Sequence, residues 1–181
     1  MTCINIKWGV GWIGSILPYT YKFHSTFLFF FFAGNETLAL VASKQRLIPG
    51  TTDLSYFDYD QWGYHFITTQ QLIDVGIEKC PVFIEDLARE AFGKEPNQLF
   101  LNAIHPGGMR LIREVGKALQ LQGSRSEKLA TAGMADGGNV ASVSVIDMLA
   151  RCWGKWEEGA EMTCVGFGPG FVICGAALKA A

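Results

Sequence analysis

The sequence predicts an α/β fold, and three observations carry that reading. Strand-like apolar runs alternate with segments of helical spacing from residue 34 to the end. Glycine and proline punctuate the alternation, at Pro49-Gly50, at 106–108 and at 168–170. Hydrophobic residues make up 49% of the 181, which supplies a rich core for one domain.

Residues 37–42 are short, apolar and strand-like. Residues 44–53 read as a polar connection with a turn at Pro49-Gly50. The stretch Leu-Ser-Tyr-Phe-Asp-Tyr-Asp-Gln-Trp-Gly-Tyr-His-Phe at 54–66 is aromatic and broken by acids, which suits a strand or a ribbon. From 70 to 92 the spacing is helical, and Pro81 is expected to divide that helix or kink it. Residues 98–104 form a strand of the buried kind. Residues 109–121 form an amphipathic helix, with Leu111, Ile112, Val115 and Leu119 on one face and Arg110, Arg113, Glu114 and Lys117 on the other. A short helix is expected over 126–135. Asn139 opens another that runs to about Trp153 and is apolar around most of its circumference, so it packs on more than one side. Strands at 162–167 and 171–178 close the chain, joined by Gly168-Pro169-Gly170.

The first 33 residues differ from the rest. The uninterrupted apolar run at 26–33 is far short of the ~20 residues a spanning helix needs. As a signal peptide its apolar run sits late. Phenylalanine codons are pyrimidine-rich, and Phe-Leu-Phe-Phe-Phe-Phe-Ala-Gly is what a pyrimidine tract before an intron's terminal CAG would spell. Residues 1–33 are therefore expected to be an atypical segment of gene-model or intron origin, and 34–181 a separate domain.

Net charge is −2, which gives no basic footprint for nucleic acid. The cysteines at 3, 80, 152, 164 and 174 have no paired spacing, which fits reduced thiols in a cytoplasmic protein better than a disulfide framework. No metal-ligand spacing and no membrane partner are indicated.

Three motifs stand in order: Ile-His-Pro-Gly-Gly at 104–108, Gly-Gly-Asn at 137–139 and Gly-Phe-Gly-Pro-Gly at 166–170. Each lies at the end of an apolar segment or between a loop and one, where open α/β folds meet ligands. Alone, each has a plain structural reading: a strand exit, a helix cap at Asn139, a two-residue hairpin turn around Pro169-Gly170. Together with Gly-Tyr-His-Phe at 63–66, they resemble the C-terminal half of type III polyketide synthases, the chalcone and stilbene synthase family of the thiolase superfamily. The resemblance runs from about Gly34 to the end.

The resemblance implies the C-terminal half of a thiolase-like layered fold, a mixed sheet with helices on its faces. It implies decarboxylative condensation of malonyl-CoA with an acyl-CoA starter, with coenzyme A thioesters as substrates and no further cofactor. His105 and Asn139 resemble the family's catalytic pair, which holds the thioester oxygen while the enolate forms. Gly107 and Gly108, and the loop of Gly166, Phe167, Gly168, Pro169 and Gly170, resemble substrate-binding positions near the nucleophile. Tyr64 falls where the family has a phenylalanine that gates the cavity, and adds a hydroxyl there; His65 reads as structural. Asn35-Glu36 replaces the family's usual aspartate-glycine. The sister β-ketoacyl-ACP synthase III family normally carries Gln-Ala-Asn where this chain has Pro-Gly-Gly after the histidine.

The family's nucleophilic cysteine lies in its N-terminal half. Cys80 precedes a proline in a helical region, Cys152 ends a helix, and Cys164 and Cys174 sit in apolar strands, so none has that setting. The chain is therefore expected to be a fragment, inactive alone, that needs a missing N-terminal half or a homodimer partner. The alternatives are a non-catalytic remnant or pseudoenzyme partner, and a β-ketoacyl-ACP synthase III-like fragment. Starter unit, number of extensions and cyclisation mode are not written in these residues.

Overall fold

The computed structural model describes residues 38–181. The expectations for residues 1–33, the Asn35-Glu36 turn and the strand start at residue 37 lie outside the described residues.

The elements run β1 (Leu38–Leu47), β2 (Ser55–Asp60), β3 (Gly63–Thr68), α1 (Gln70–Phe92), β4 (Leu101–Ile104), α2 (Met109–Ala118), α3 (Arg125–Gly137), α4 (Val143–Cys152), β5 (Glu161–Gly168) and β6 (Val172–Ala180). Four strands form one sheet in the order β1-β6-β5-β4. β6 is antiparallel to both neighbours, whereas β4 and β5 are parallel. The sheet is thus mixed, as the α/β reading expects. Among the described residues β2 and β3 pair only with each other, as a ribbon.

Alternation along the strands sends side chains to two cores. Val165, Ile173 and Ala177 face α1 and α2, where they meet Phe83, Ile84, Leu87, Leu111 and Val115. Leu101, Ala103, Met162, Cys164, Ala176 and Leu178 face α3 and α4, where they meet Ala130, Val145, Met148 and Cys152. A period of two with both faces buried is what makes these strands read as continuous apolar runs.

β1 extends to Leu47, well beyond the expected strand, and takes in the first four residues of the expected polar connection. Its polar residues find partners on α1: Lys44 Nζ lies 2.8 Å from Glu90 and Arg46 Nη2 lies 2.9 Å from Asp86. The turn at Pro49-Gly50 stands, with Gly50 at φ +74°.

α1 is one helix through Pro81 rather than two. It is capped at both ends: Thr69 accepts from the Leu72 N–H, and Gly93, at φ 66°, donates to the Arg89 carbonyl. Pro81 removes one N–H. The buried row Cys80, Phe83, Ile84, Leu87 and Ala88 holds the helix against β6 across that break. The approach is close at Gly175, where a Cβ would fall 2.8 Å from both Leu87 Cδ2 and Phe83 Cε1.

The start of α3 closes the outer edge of β4. The Asn102 N–H donates to Ser126 Oγ at 2.9 Å, and Arg125 Nη1 donates to the Phe100 carbonyl at 3.3 Å. Asn102 is itself locked, donating to the Pro96 carbonyl at 2.7 Å and accepting from Thr163 Oγ1 at 2.8 Å. This fixes the strand that delivers His105.

α4 begins at Val143, not at Asn139, and packs on α3 and on β4 and β5. Val143, 60% exposed, stays on its open side, and Val140, in the turn before the helix, is also exposed. So the helix is covered on two sides, with an apolar remainder facing out.

Candidate active site

β4 ends at Ile104, and the ladder continues one residue further, since the His105 N–H donates to the Val165 carbonyl at 2.8 Å. The His105 side chain is 9% exposed. Its ring meets the Phe167 ring edge-on, with centroids 5.8 Å apart at 76°. Pro106 then fixes the backbone and the Gly107 N–H turns back to the His105 carbonyl at 3.0 Å. A Cβ on Gly107 would lie 3.3 Å from Leu111 Cδ2 and 3.9 Å from His105 Nε2, so the glycine lets the chain pass close to the imidazole. Gly108 leads into α2, its carbonyl accepting from Ile112 N–H at 3.1 Å.

Burial lowers the pKa of His105 below the ordinary imidazole value, and the hydrogen-bonded backbone of Ala141 opposes that shift. The ring is therefore neutral near pH 7, with one nitrogen a donor and the other an acceptor. Its Nδ1 is buried with no hydrogen-bond partner among the described residues.

Gly138, at φ 70°, ends α3. Asn139 is exposed, and its Oδ1 accepts from the Ala141 N–H at 3.0 Å. This is an Asx turn. Ala141 has φ +54°, a left-handed conformation unusual for alanine. Its carbonyl accepts from the Ser144 N–H at 3.1 Å. Asn139 therefore caps a turn rather than α4. The helix N-cap is Ser142, which makes no side-chain cap bond.

The third motif is the end of β5 and the loop after it. Gly166, Phe167 and Gly168 pair with Cys174, Ile173 and Val172. The loop spans three residues, Pro169 to Phe171, and not two. The extra residue turns Phe171 inward, where its ring packs 5.6 Å from Phe167 and its N–H donates to Thr51 Oγ1 at 2.8 Å. Gly170 takes φ +113° to allow it.

The structure thus brings together His105, Gly107 and Phe167, while the Asn139 side chain is exposed and accepts from the Ala141 N–H. It does not bring Tyr64 there. Tyr64 is 80% exposed on β3, packed only on Tyr59 across the ribbon at 5.2 Å among the ring contacts it makes. The cavity next to His105, bounded by Ile104, Leu111, Ile112 and Met148, is about 30 Å³ and apolar. That is far below the roughly 300–1,000 Å³ of ligand pockets. Beside His105 the described residues therefore form no enclosed chamber of ligand size.

Residues 39–181 match the family of chalcone and stilbene synthases, C-terminal domain. The chain belongs to that family. It is 30% identical over 139 residues to the 1,3,6,8-tetrahydroxynaphthalene synthase of Streptomyces coelicolor, a match that covers 76% of this chain and 36% of the relative. It is 28% identical over 132 residues to the phloroglucinol synthase of Pseudomonas fluorescens, covering 71% and 37%. The crystal structure of the Streptomyces coelicolor synthase, a bacterial type III polyketide synthase, superposes with a TM-score of 0.70 at 26% identity, over 81% of this chain and 42% of that one. The chain spans little more than a third of the length of the curated relatives it matches.

Within this chalcone and stilbene synthase domain the described cysteines are buried. Burial raises the thiol pKa of Cys80 and Cys152, and pushes that of Cys164 up to about 12. None of these three is poised as a thiolate. Among the described residues no cluster of three or more His, Cys, Asp and Glu side chains could hold a metal, and no helix is long and apolar enough to cross a membrane.

Two parts of the site escaped the sequence reading. One is Ala141, whose left-handed turn could have been sought in an asparagine two residues upstream. The other is the Asn102, Thr163 and Ser126 lock under His105, whose members are distant in sequence and carry no local signal.

Proposed function

We propose that this chain furnishes the histidine and asparagine side of a polyketide-forming acyltransferase site, acting on malonyl-CoA and an acyl-CoA starter with no other cofactor. The observation that carries the reading is the meeting of two separate motifs at one buried imidazole: His105, with Phe167 at its edge and Gly107 beside it.

Malonyl thioester loses CO2 when the electrons of its C–C bond pass into the thioester carbonyl, which becomes an enolate oxygen. A neutral His105 donates one N–H to that oxygen, and the Asn139 carboxamide, whose oxygen is engaged by Ala141, presents its N–H groups. The enolate carbon then attacks the starter's acyl carbonyl and expels the sulfur that carries it. That sulfur comes from outside the described residues, because a buried thiol cannot serve as the thiolate nucleophile. Gly107, Gly108 and the 166–170 loop form one wall. Tyr64 takes part only once a partner half closes over the ribbon. The work is placed in the cytoplasm, with a family N-terminal half or a second copy of the chain as partner.

The test uses the full chain with acyl-CoA starters and labelled malonyl-CoA, with and without a family N-terminal half. Product is expected only with the added half, and His105→Ala should cut it by about 10²–10³-fold. Product from the chain alone overturns the absent thiolate. No product and no malonyl-CoA binding in either arm overturns the acyltransferase reading.

A further inference from the structure

The ribbon of β2 and β3 contributes no residue to either core, and every exposed aromatic side chain among the described residues lies on it. Its register sets Phe57 opposite Phe66 and Tyr59 opposite Tyr64, and the period of two puts all four on one face. Their ring centroids stand 5.0 and 5.2 Å apart across the strands. All four are more than half exposed, as is Trp62 at the tip. The opposite face carries Asp58, Asp60 and His65. The acids are held there. Asp58 Oδ1 accepts from the Tyr59 N–H at 2.8 Å, and Asp60 Oδ1 accepts from the Trp62 N–H at 2.7 Å and lies 3.0 Å from His65 Nε2.

The ring face is large enough to bind a partner. A whole aromatic side chain covers about 150–250 Å², so these five leave on the order of 700 Å² open to solvent. That exceeds the roughly 300–600 Å² of the largest apolar patch on a typical monomer. It approaches the ~800 Å² that each partner brings to a standard interface. Charge narrows what can cover it. No lysine or arginine stands between residues 51 and 69, whereas Asp53, Asp58 and Asp60 do. Nucleic acid and anionic lipid are held by cations that the ribbon lacks. A second ribbon needs none. Two ladders meeting across a two-fold axis stack ring on ring, leave both acidic faces outward, and close at two copies.

We propose that the aromatic ladder of Phe57, Tyr59, Tyr64 and Phe66 is a self-association surface, on which a second copy of this chain packs its own ladder. The pairing goes beyond the acyltransferase reading and does not rest on it. Its area lies at the low end of stable interfaces, so the dilute chain is a monomer and pairing grows with concentration. The aspartates of one ribbon repel those of the other, and salt screens that repulsion, so pairing strengthens with salt.

The experiment is sedimentation equilibrium of the full chain over a wide concentration range, at low and high NaCl. The mass should rise from 19.9 kDa to twice that and stop, and rise earlier at high salt. Tyr59→Glu combined with Tyr64→Glu sets like charges in the centre of the ladder and should weaken pairing by at least about 30-fold, the loss of one interface hot spot. Tyr56→Glu, on the opposite face, should leave it near the wild-type value at high salt. If the double variant fails to fold, Trp62→Ser takes its place and should also weaken pairing. A mass fixed at 19.9 kDa, growth past the dimer, weakening by salt, or pairing as strong in the ladder variants as in wild type overturns the proposal. So does a chain that stays monomeric yet floats with phosphatidylcholine vesicles, which gives the ladder to a lipid surface. A monomeric chain that binds a family N-terminal half through the ladder also overturns it.

Discussion

An imidazole buried against the edge of Phe167 makes folding itself depend on pH. His105 has a lowered pKa in the folded chain, whereas the unfolded chain titrates near the ordinary value of about 6.5. Above that value both states are neutral at this residue and its contribution is fully present. As pH falls below it, the unfolded state takes up the proton first, and stability is lost until the folded ring is protonated too. Urea midpoints measured at about pH 7.5 and about pH 5.5 should therefore fall more for the wild type than for His105→Gln, which has nothing to titrate there. Equal slopes for the two proteins would show that burial does not bear on the ring as described. The histidine was legible in the sequence because it ends a buried run and is followed by Pro-Gly-Gly. The left-handed turn at Ala141 was not, because alanine carries no side-chain signal for it.

Two contacts between elements are open to direct measurement. α1 lies so close to β6 at Gly175 that a methyl group would meet Leu87 and Phe83 at 2.8 Å. Gly175→Ala should cost about 1–3 kcal/mol by overpacking, read as a lower denaturant midpoint. Gly50→Ala serves as a contrast, with nothing within 4 Å of its Cβ but a φ of +74°; its loss would come from backbone strain. The second contact is the seal on β4. Ser126→Ala strips the Asn102 N–H of its acceptor in a fully buried place, and an orphaned buried N–H costs about 1–3 kcal/mol. A midpoint unchanged in Ser126→Ala would mean that another acceptor reaches the strand edge. Elements whose stability comes from such long-range partners are those the sequence described least well. Lys44 and Arg46 read as a loop until Glu90 and Asp86 are set opposite them. Pro81 reads as a break until the buried row beside it is seen to span it.

Across the whole molecule, the alternation of strand and helix was legible because both faces of the sheet are covered and the periodicities are clean. The register that gathers the motifs was not, since it depends on β4 lying beside β5 although 56 residues separate Ile104 and Glu161 in between. The ribbon of β2 and β3 stands apart from this order. Among the described residues it pairs with no third strand, and a two-stranded hairpin is marginal alone in water. Its one face is a ladder of rings, Phe57 with Phe66 at 5.0 Å and Tyr59 with Tyr64 at 5.2 Å, and Trp62 at its tip is 82% exposed. Such a segment opens at little cost while the four-stranded sheet stays shut. Brief digestion with chymotrypsin, which cuts after aromatic residues, should therefore nick the described residues first around Trp62 and Tyr64. The buried aromatics Phe83 and Phe171 should stay intact on the same timescale. A partner half that closes over the ribbon would erase that early cut, so a simple gel pattern would report whether the two pieces have come together.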